Sequence, residues 1–153
     1  MEMYHLVTKW FFQTPIERVW EEIIDIEAWP TWWQSIKRAT IRGPEPRLQL
    51  ASMADCEVKG ALPKTLHLSM EVTTFQPPNF MDLKSSGDLL GGGQWVLERQ
   101  TNGTAVTFYW DVGMTNSFLN LLGKLPFVKA MMEKSHNDVM DNGYRVLKPR
   151  LEG

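Results

Sequence analysis

One cysteine in 153 residues leaves Cys56 nothing to pair with, so no internal disulfide is expected. Histidine is scarce too: His5, His67 and His136 lie too far apart to read as a ligand set by spacing, and neither a metal nor a cofactor is anticipated. Charge of one sign is not in excess. The 16 Lys and Arg are dispersed and offset by 18 Asp and Glu, for a net charge of −2, which leaves no basic face to release counterions from nucleic acid. No apolar run approaches the roughly 20 residues that span a bilayer. The start lacks the charged segment and apolar run of a secretory leader, so a cytoplasmic chain without a transmembrane segment is expected. Gly87, Gly91, Gly92 and Gly93 match neither a dinucleotide nor a P-loop fingerprint and read as a bulged hairpin loop. Spacing supports no Ser-His-Asp or Cys-His pairing, and the inward sheet faces carry no carboxylate pair, so no catalytic residue is assigned. Composition shows no break, and residues 1–153 read as one domain.

What is present is organised around a long amphipathic stretch, Pro126 to Lys148. Val128, Met131, Met132, Val139, Met140, Val146 and Leu147 recur at three- and four-residue steps, with Lys129, Glu133, Lys134, Asp138, Asp141 and Arg145 opposite. Ser135 and Gly143 fall on the apolar stripe, where Gly costs about 1 kcal/mol relative to Ala. Either a neighbouring backbone approaches closely there, or a ligand cavity lies beneath a wall of soft Met side chains.

Upstream, residues 3 to 12 alternate as a strand with Leu6, Thr8, Trp10 and Phe12 on one face. Thr14-Pro15-Ile16-Glu17 matches a capping box, and Ile16, Val19, Trp20, Ile23 and Ile24 give the helix that follows its buried face. Trp29 precedes a proline, so Glu27 to Ile36 should form a separate short helix or turn; its Trp29, Trp32 and Trp33 either plug one end of the fold together, or Trp32 or Trp33 edges a pocket. Six further strands read as an antiparallel meander: Ser35–Arg42, Arg47–Lys59, Lys64–Phe75, Phe80–Ser86, Gln94–Gln100 and Thr104–Met114. Asn102-Gly103 signals the last hairpin. Leu66, Leu68, Met70 and Val72, and likewise Val106, Phe108, Trp110 and Val112, should face the long helix, because a one-residue slip would expose either whole set. A curved seven-stranded antiparallel sheet around a long C-terminal helix, with two short helices after strand one, is an α+β arrangement.

Several segments, in this order, resemble the START-like, or Bet v 1-like, superfamily, in particular its bacterial polyketide cyclase/dehydrase and lipid-transport proteins. They are Thr14-Pro15 to Val19-Trp20, Trp29-Pro30 with Trp32-Trp33, Gly87-Asp88-Leu89 with Gly91 and Trp95, Tyr109-Trp110-Asp111-Val112, and His136-Asn137 with Val139-Met140 and Gly143. The resemblance implies a helix-grip fold enclosing a pocket for a lipid, polyketide or similar hydrophobic molecule, and it carries over no catalytic residue.

The residues expected to meet such a ligand are Trp10, Trp33, Leu68, Met70, Phe108, Trp110, Met132, Ser135, His136, Val139 and Gly143. A carrier or binding protein, monomeric or weakly dimeric, is the leading expectation, and a cavity below about 300 Å³ would count heavily against it. A cyclase or dehydratase is the alternative, with His136, Tyr109 and Thr8 as the polar groups to reach a ligand. A docking module using Phe118 to Phe127 and the Trp cluster is the third.

Overall fold

A computed structural model describes residues 2–115 and 126–153. The expectations for Phe118–Leu122 and Leu125 fall outside those residues.

Strand β1 (Met3–Phe12) is followed by α1 (Ile16–Ile24), a single 3₁₀ turn (Ile26–Ala28) and α2 (Trp29–Trp32). Strands β2 (Ile36–Ile41), β3 (Met53–Val58), β4 (Leu66–Gln76), β5 (Phe80–Gly87), β6 (Leu89–Gln100) and β7 (Gly103–Met114) come next, and α3 (Pro126–Glu152) closes the chain. The seven strands form one curved antiparallel sheet in the order β1-β7-β6-β5-β4-β3-β2, so the helices after β1 carry the chain from one edge to the other. This is the helix-grip arrangement. Among the described residues no helix is long and apolar enough to cross a membrane.

Period-two alternation placed the inner face correctly. Leu66, Leu68, Met70 and Val72 are buried, as are Val106, Phe108, Trp110 and Val112. In β1 the register sets Leu6 opposite Trp110, Thr8 opposite Phe108 and Trp10 opposite Val106, so the three inward side chains meet the inner row of β7.

Four local readings are corrected. The capping box does not form: Pro15 holds the N-cap position, its carbonyl accepting from the amides of Arg18 and Val19, and the helix starts one residue late. That shift frees Thr14, whose hydroxyl donates to the Leu151 carbonyl at 2.8 Å, while Glu17 pairs with Arg99 at 2.7 Å. The segment from Arg47 is not strand until Met53, because Ala51 adopts φ 70° and turns the chain; Leu48 is buried but Leu50 is 61% exposed. Helix α3 runs past Lys148 to Glu152, its last turn held by the Leu151 carbonyl and by the Gln13 amide donating to Glu152 at 2.8 Å. On that helix Met131 and Val146, counted into the apolar stripe, are exposed.

The fourth correction shapes the interior. Gly91, Gly92 and Gly93 belong to β6 rather than to a loop, and only Asp88 separates β5 from β6. A side chain at Gly91, where φ is 150°, would strike the Asp111 carbonyl of β7. At Gly93 a Cβ would lie 2.7 Å from the Trp110 ring and 3.2 Å from Phe108. The missing side chains let two large rings of β7 lie flat over the neighbouring strand.

Trp20 is 3% exposed and its ring lies 5.6 Å from that of Phe75, so Trp20→Ala should remove roughly 3–5 kcal/mol of stability. Thr14→Ala removes one buried hydrogen bond, and since Arg18 also donates to the Leu151 carbonyl the loss should be about 1 kcal/mol. Denaturant melts showing equal losses would contradict these roles.

Candidate functional site

Between the inner face of the sheet and α3 lies a cavity of about 120 Å³. Its floor is Leu68 and Met70 of β4 with Phe108 and Trp110 of β7; its roof is Met132, Ser135, His136 and Val139 of α3. Trp33, just past α2, and Gly60 and Leu62 of the β3–β4 loop complete the lining. Nine of the eleven anticipated residues, those of the floor and roof with Trp33, therefore line it. The volume is well under the ~300 Å³ at which ligand pockets begin, which counts against a carrier of lipid-sized molecules in this conformation.

Trp10 and Gly143 do not line the cavity. Trp10 sits behind the wall, its ring 5.8 Å from those of Trp33 and Trp95 and stacked on Tyr144 at 5.6 Å. Gly143 receives the Trp33 indole: a Cβ there would lie 2.6 Å from Nε1 and Cε2. The same indole N–H donates to the Val139 carbonyl at 2.7 Å, which a side chain at 143 would obstruct. Ser135 is small for a related reason, since Gly60 of the loop abuts it and its hydroxyl accepts from the Ala61 amide at 3.1 Å. Gly143 is thus small to take the indole, while Ser135 both receives the loop and lines the cavity.

Among the lining residues not anticipated from the sequence are Trp29, Trp95, Cys56 and the loop residues Gly60, Leu62 and Lys64. Trp95 shares its inward parity with Leu97, so alternation from Leu97 finds it; nothing periodic announces the loop.

The wall is chemically quiet. Burial pushes the Cys56 thiol up to about 12, so it stays protonated and is no nucleophile. At the rim Lys64 pairs with Asp88 at 3.4 Å, and Lys59 donates to the Gly60 and Leu62 carbonyls. Among the described residues no group of His, Cys, Asp and Glu is placed to hold a metal. Tyr109 points to the outer face, 38% exposed, which removes it from the polar groups expected to reach a ligand. His136 does line the cavity: it stacks on Phe108 at 6.4 Å, and its Nε2 lies 3.0 Å from the Thr8 hydroxyl. Burial lowers its pKa from 6.5 to about 4, against a smaller upward pull from Asp141. The imidazole is neutral at pH 7.

The chain matches the family described as polyketide cyclase / dehydrase and lipid transport over residues 3–152. None of the curated proteins matches. Among solved structures it is similar to the Zhui aromatase/cyclase of Streptomyces sp. R1128, with a TM-score of 0.77 at 13% identity over 98% of this chain and 94% of that one. It is similar to a START superfamily protein of Mycobacterium smegmatis, TM-score 0.69 at 16% identity over 97% and 96%. The di-domain aromatase/cyclase StfQ of the steffimycin biosynthetic pathway gives 0.76 at 13%; the match covers 97% of this chain and 51% of StfQ, so the chain spans about half of it. At these identities the likeness is one of fold.

Two outcomes follow from the geometry. In an ordinary helix Gly→Ala stabilises by about 1 kcal/mol, but Gly143→Ala should lower the melting temperature because its Cβ meets the indole; in a Trp33→Ala background the sign should revert, as thermal melts of the double-mutant cycle would show. His136 releases its proton on folding, so the unfolded chain binds more protons below pH 6.5. Its contribution should be complete above pH 6.5 and decline by roughly 3 kcal/mol as pH falls towards 4. Melts across that window should be flatter for His136→Gln; an unchanged slope would contradict the assignment.

Proposed function

The chain belongs to the polyketide cyclase / dehydrase and lipid-transport family, and from that premise we propose that it binds a hydrophobic small molecule in the cavity between the sheet and α3. The observation that carries this reading is the cavity itself, walled by Leu, Met and aromatic side chains, with its charged groups paired at the rim. An apolar void of about 150 Å³ stays dry and accepts a benzene-sized guest, so a single-ring ligand suits this volume. Longer ligands of the lipid or polyketide kind need Met70, Met132 and Met140, three flexible thioethers on the wall, to turn aside. One chain supplies the whole site, and a monomer or weak dimer suffices.

A second reading, a cyclase- or dehydratase-type activity on a ligand in the same cavity, is favoured by one observation: the neutral His136 on the wall with the Thr8 hydroxyl beside it. With a pKa of about 4 it is a weak base, which supports binding over turnover. The docking reading loses the Trp cluster, since Trp29, Trp32 and Trp33 are all buried; of its other residues Phe127 is exposed.

Toluene titrated into the purified protein and followed by tryptophan fluorescence should bind saturably. Cys56→Phe, which places a ring in the cavity, should abolish that binding, with overpacking costing no more than about 1–3 kcal/mol and a cooperative melt showing the fold retained. Failure of toluene and of longer alkylbenzenes to saturate would sink the binding reading.

A further inference from the structure

Among the described residues Lys64 is the one Lys, Arg, Asp or Glu that lines the cavity. It continues the inward row of Leu66, Leu68 and Met70 two residues before β4 begins. Its ammonium lies 3.4 Å from Asp88, which is not part of the wall, and its side chain is 42% exposed. A lysine of this kind covers apolar surface with its methylene stem and keeps its charged head in water. Lys64 therefore runs from the apolar wall out to the rim, and a ligand lying along the stem brings its outer end to the ammonium.

That ammonium has capacity left. It carries three N–H donors; Asp88 takes one, at a length beyond the roughly 2.7–2.9 Å of a well-formed charged hydrogen bond, and among the described residues no other acceptor takes a second. Residues 116–125 contain neither Asp nor Glu to add a counter-charge. Lys59 of the same loop gives its ammonium to the Gly60 and Leu62 carbonyls, which bring no negative charge to the rim. Asp88 does not depend on Lys64 for its place. Its amide donates to the His67 carbonyl at 2.9 Å, its carboxylate accepts from the His67 amide at 2.8 Å, and its carbonyl accepts from the Thr115 amide at 3.0 Å. An arriving acid group can thus share the lysine without unravelling the turn. Deeper in the cavity the same group would lose its hydration among apolar side chains, so the rim is the place for it.

Resting on the binding function above, we propose that Lys64 is the anion-recognition residue at the cavity rim, and that the ligands are small amphipathic acids, with a ring-sized apolar end inside and a carboxylate on a short arm at the Lys64 ammonium. The apolar wall holds the ring, and the lysine fixes which end points outwards.

3-Phenylpropanoate and 3-phenylpropanamide share ring and arm and differ in charge, so their affinity ratio isolates the lysine. Calorimetry at pH 7 compares the wild type with Lys64→Met, which keeps an apolar stem and loses the ammonium. The acid-to-amide ratio should be about fivefold lower in the variant, as befits a partly exposed charge pair, while toluene binds both proteins alike. An unchanged ratio with toluene still bound would overturn the role of Lys64 and leave the hydrophobic site intact. Toluene binding with neither phenylpropanoid bound would overturn the amphipathic class. No binding by toluene or by either probe would overturn the binding function, and this proposal with it. Should Lys64→Met not fold, the wild type decides alone: its acid-to-amide ratio must fall as salt rises from about 20 mM to about 500 mM, because salt screens an exposed charge pair, and a ratio independent of salt rejects the proposal.

Discussion

The Trp33 indole seated on Gly143 is the contact that sets the distance between the helical layer and the sheet. One ring fills the space a side chain would have taken, donates to the Val139 carbonyl, and stacks on Trp32 at 5.3 Å. It thereby ties the segment after α2 to the middle of α3. A helix held at that separation cannot settle fully onto the rings of Phe108 and Trp110, and the space left over is the cavity. The glycines of β6 act in the same direction from below, letting those rings lie flat against their strand.

Much of this was legible from periodicity. β4 and β7 carry a two-residue alternation that only one register can bury, which is why their inner faces, and with them the floor of the cavity, follow from the sequence. Small residues were the difficult case. Gly143 and Ser135 were visible as interruptions of an apolar stripe, but an interruption states only that something occupies the space. Whether that something is an indole, a loop or a ligand depends on partners over 70 residues away, which no local pattern encodes. The same limit explains Thr14. Its local pattern fits a cap, and the Leu151 carbonyl competes for its hydroxyl from the far end of the chain. Gly91 to Gly93 misled for the opposite reason, since turn propensity is real and tertiary packing overrode it.

How sharply the sheet divides its environments shows in two consecutive residues of β3. Asp55 faces outwards, where hydrogen bonds from Arg42, then from Ser69, hold its carboxyl below the usual range. Cys56, one residue on, faces inwards and its thiol is held protonated by burial. A single step along the strand moves from a site that stabilises charge to one that forbids it. The outer ion pair is half exposed and contributes little to stability; the inner dryness determines what the cavity can hold.

The order of strands has a consequence for how the molecule assembles. β1 is the first strand in the chain and β7 the last, yet they are neighbours, with Met3 opposite Gly113 and Phe12 opposite Thr104. At the sheet's other edge β2 has only β3 beside it. The five strands from β2 to β6 can zip together from nearest-neighbour hairpins, each closing a short loop. β1 pairs with β7 alone, so its apolar face of Leu6, Trp10 and Phe12 is covered only by a contact spanning nearly the whole chain. Closing so long a loop is entropically expensive and slow. The cavity wall, built in part by Leu6 of β1, thus depends on a slow long-range pairing, the kind of step that leaves apolar strands exposed to aggregation while it is incomplete.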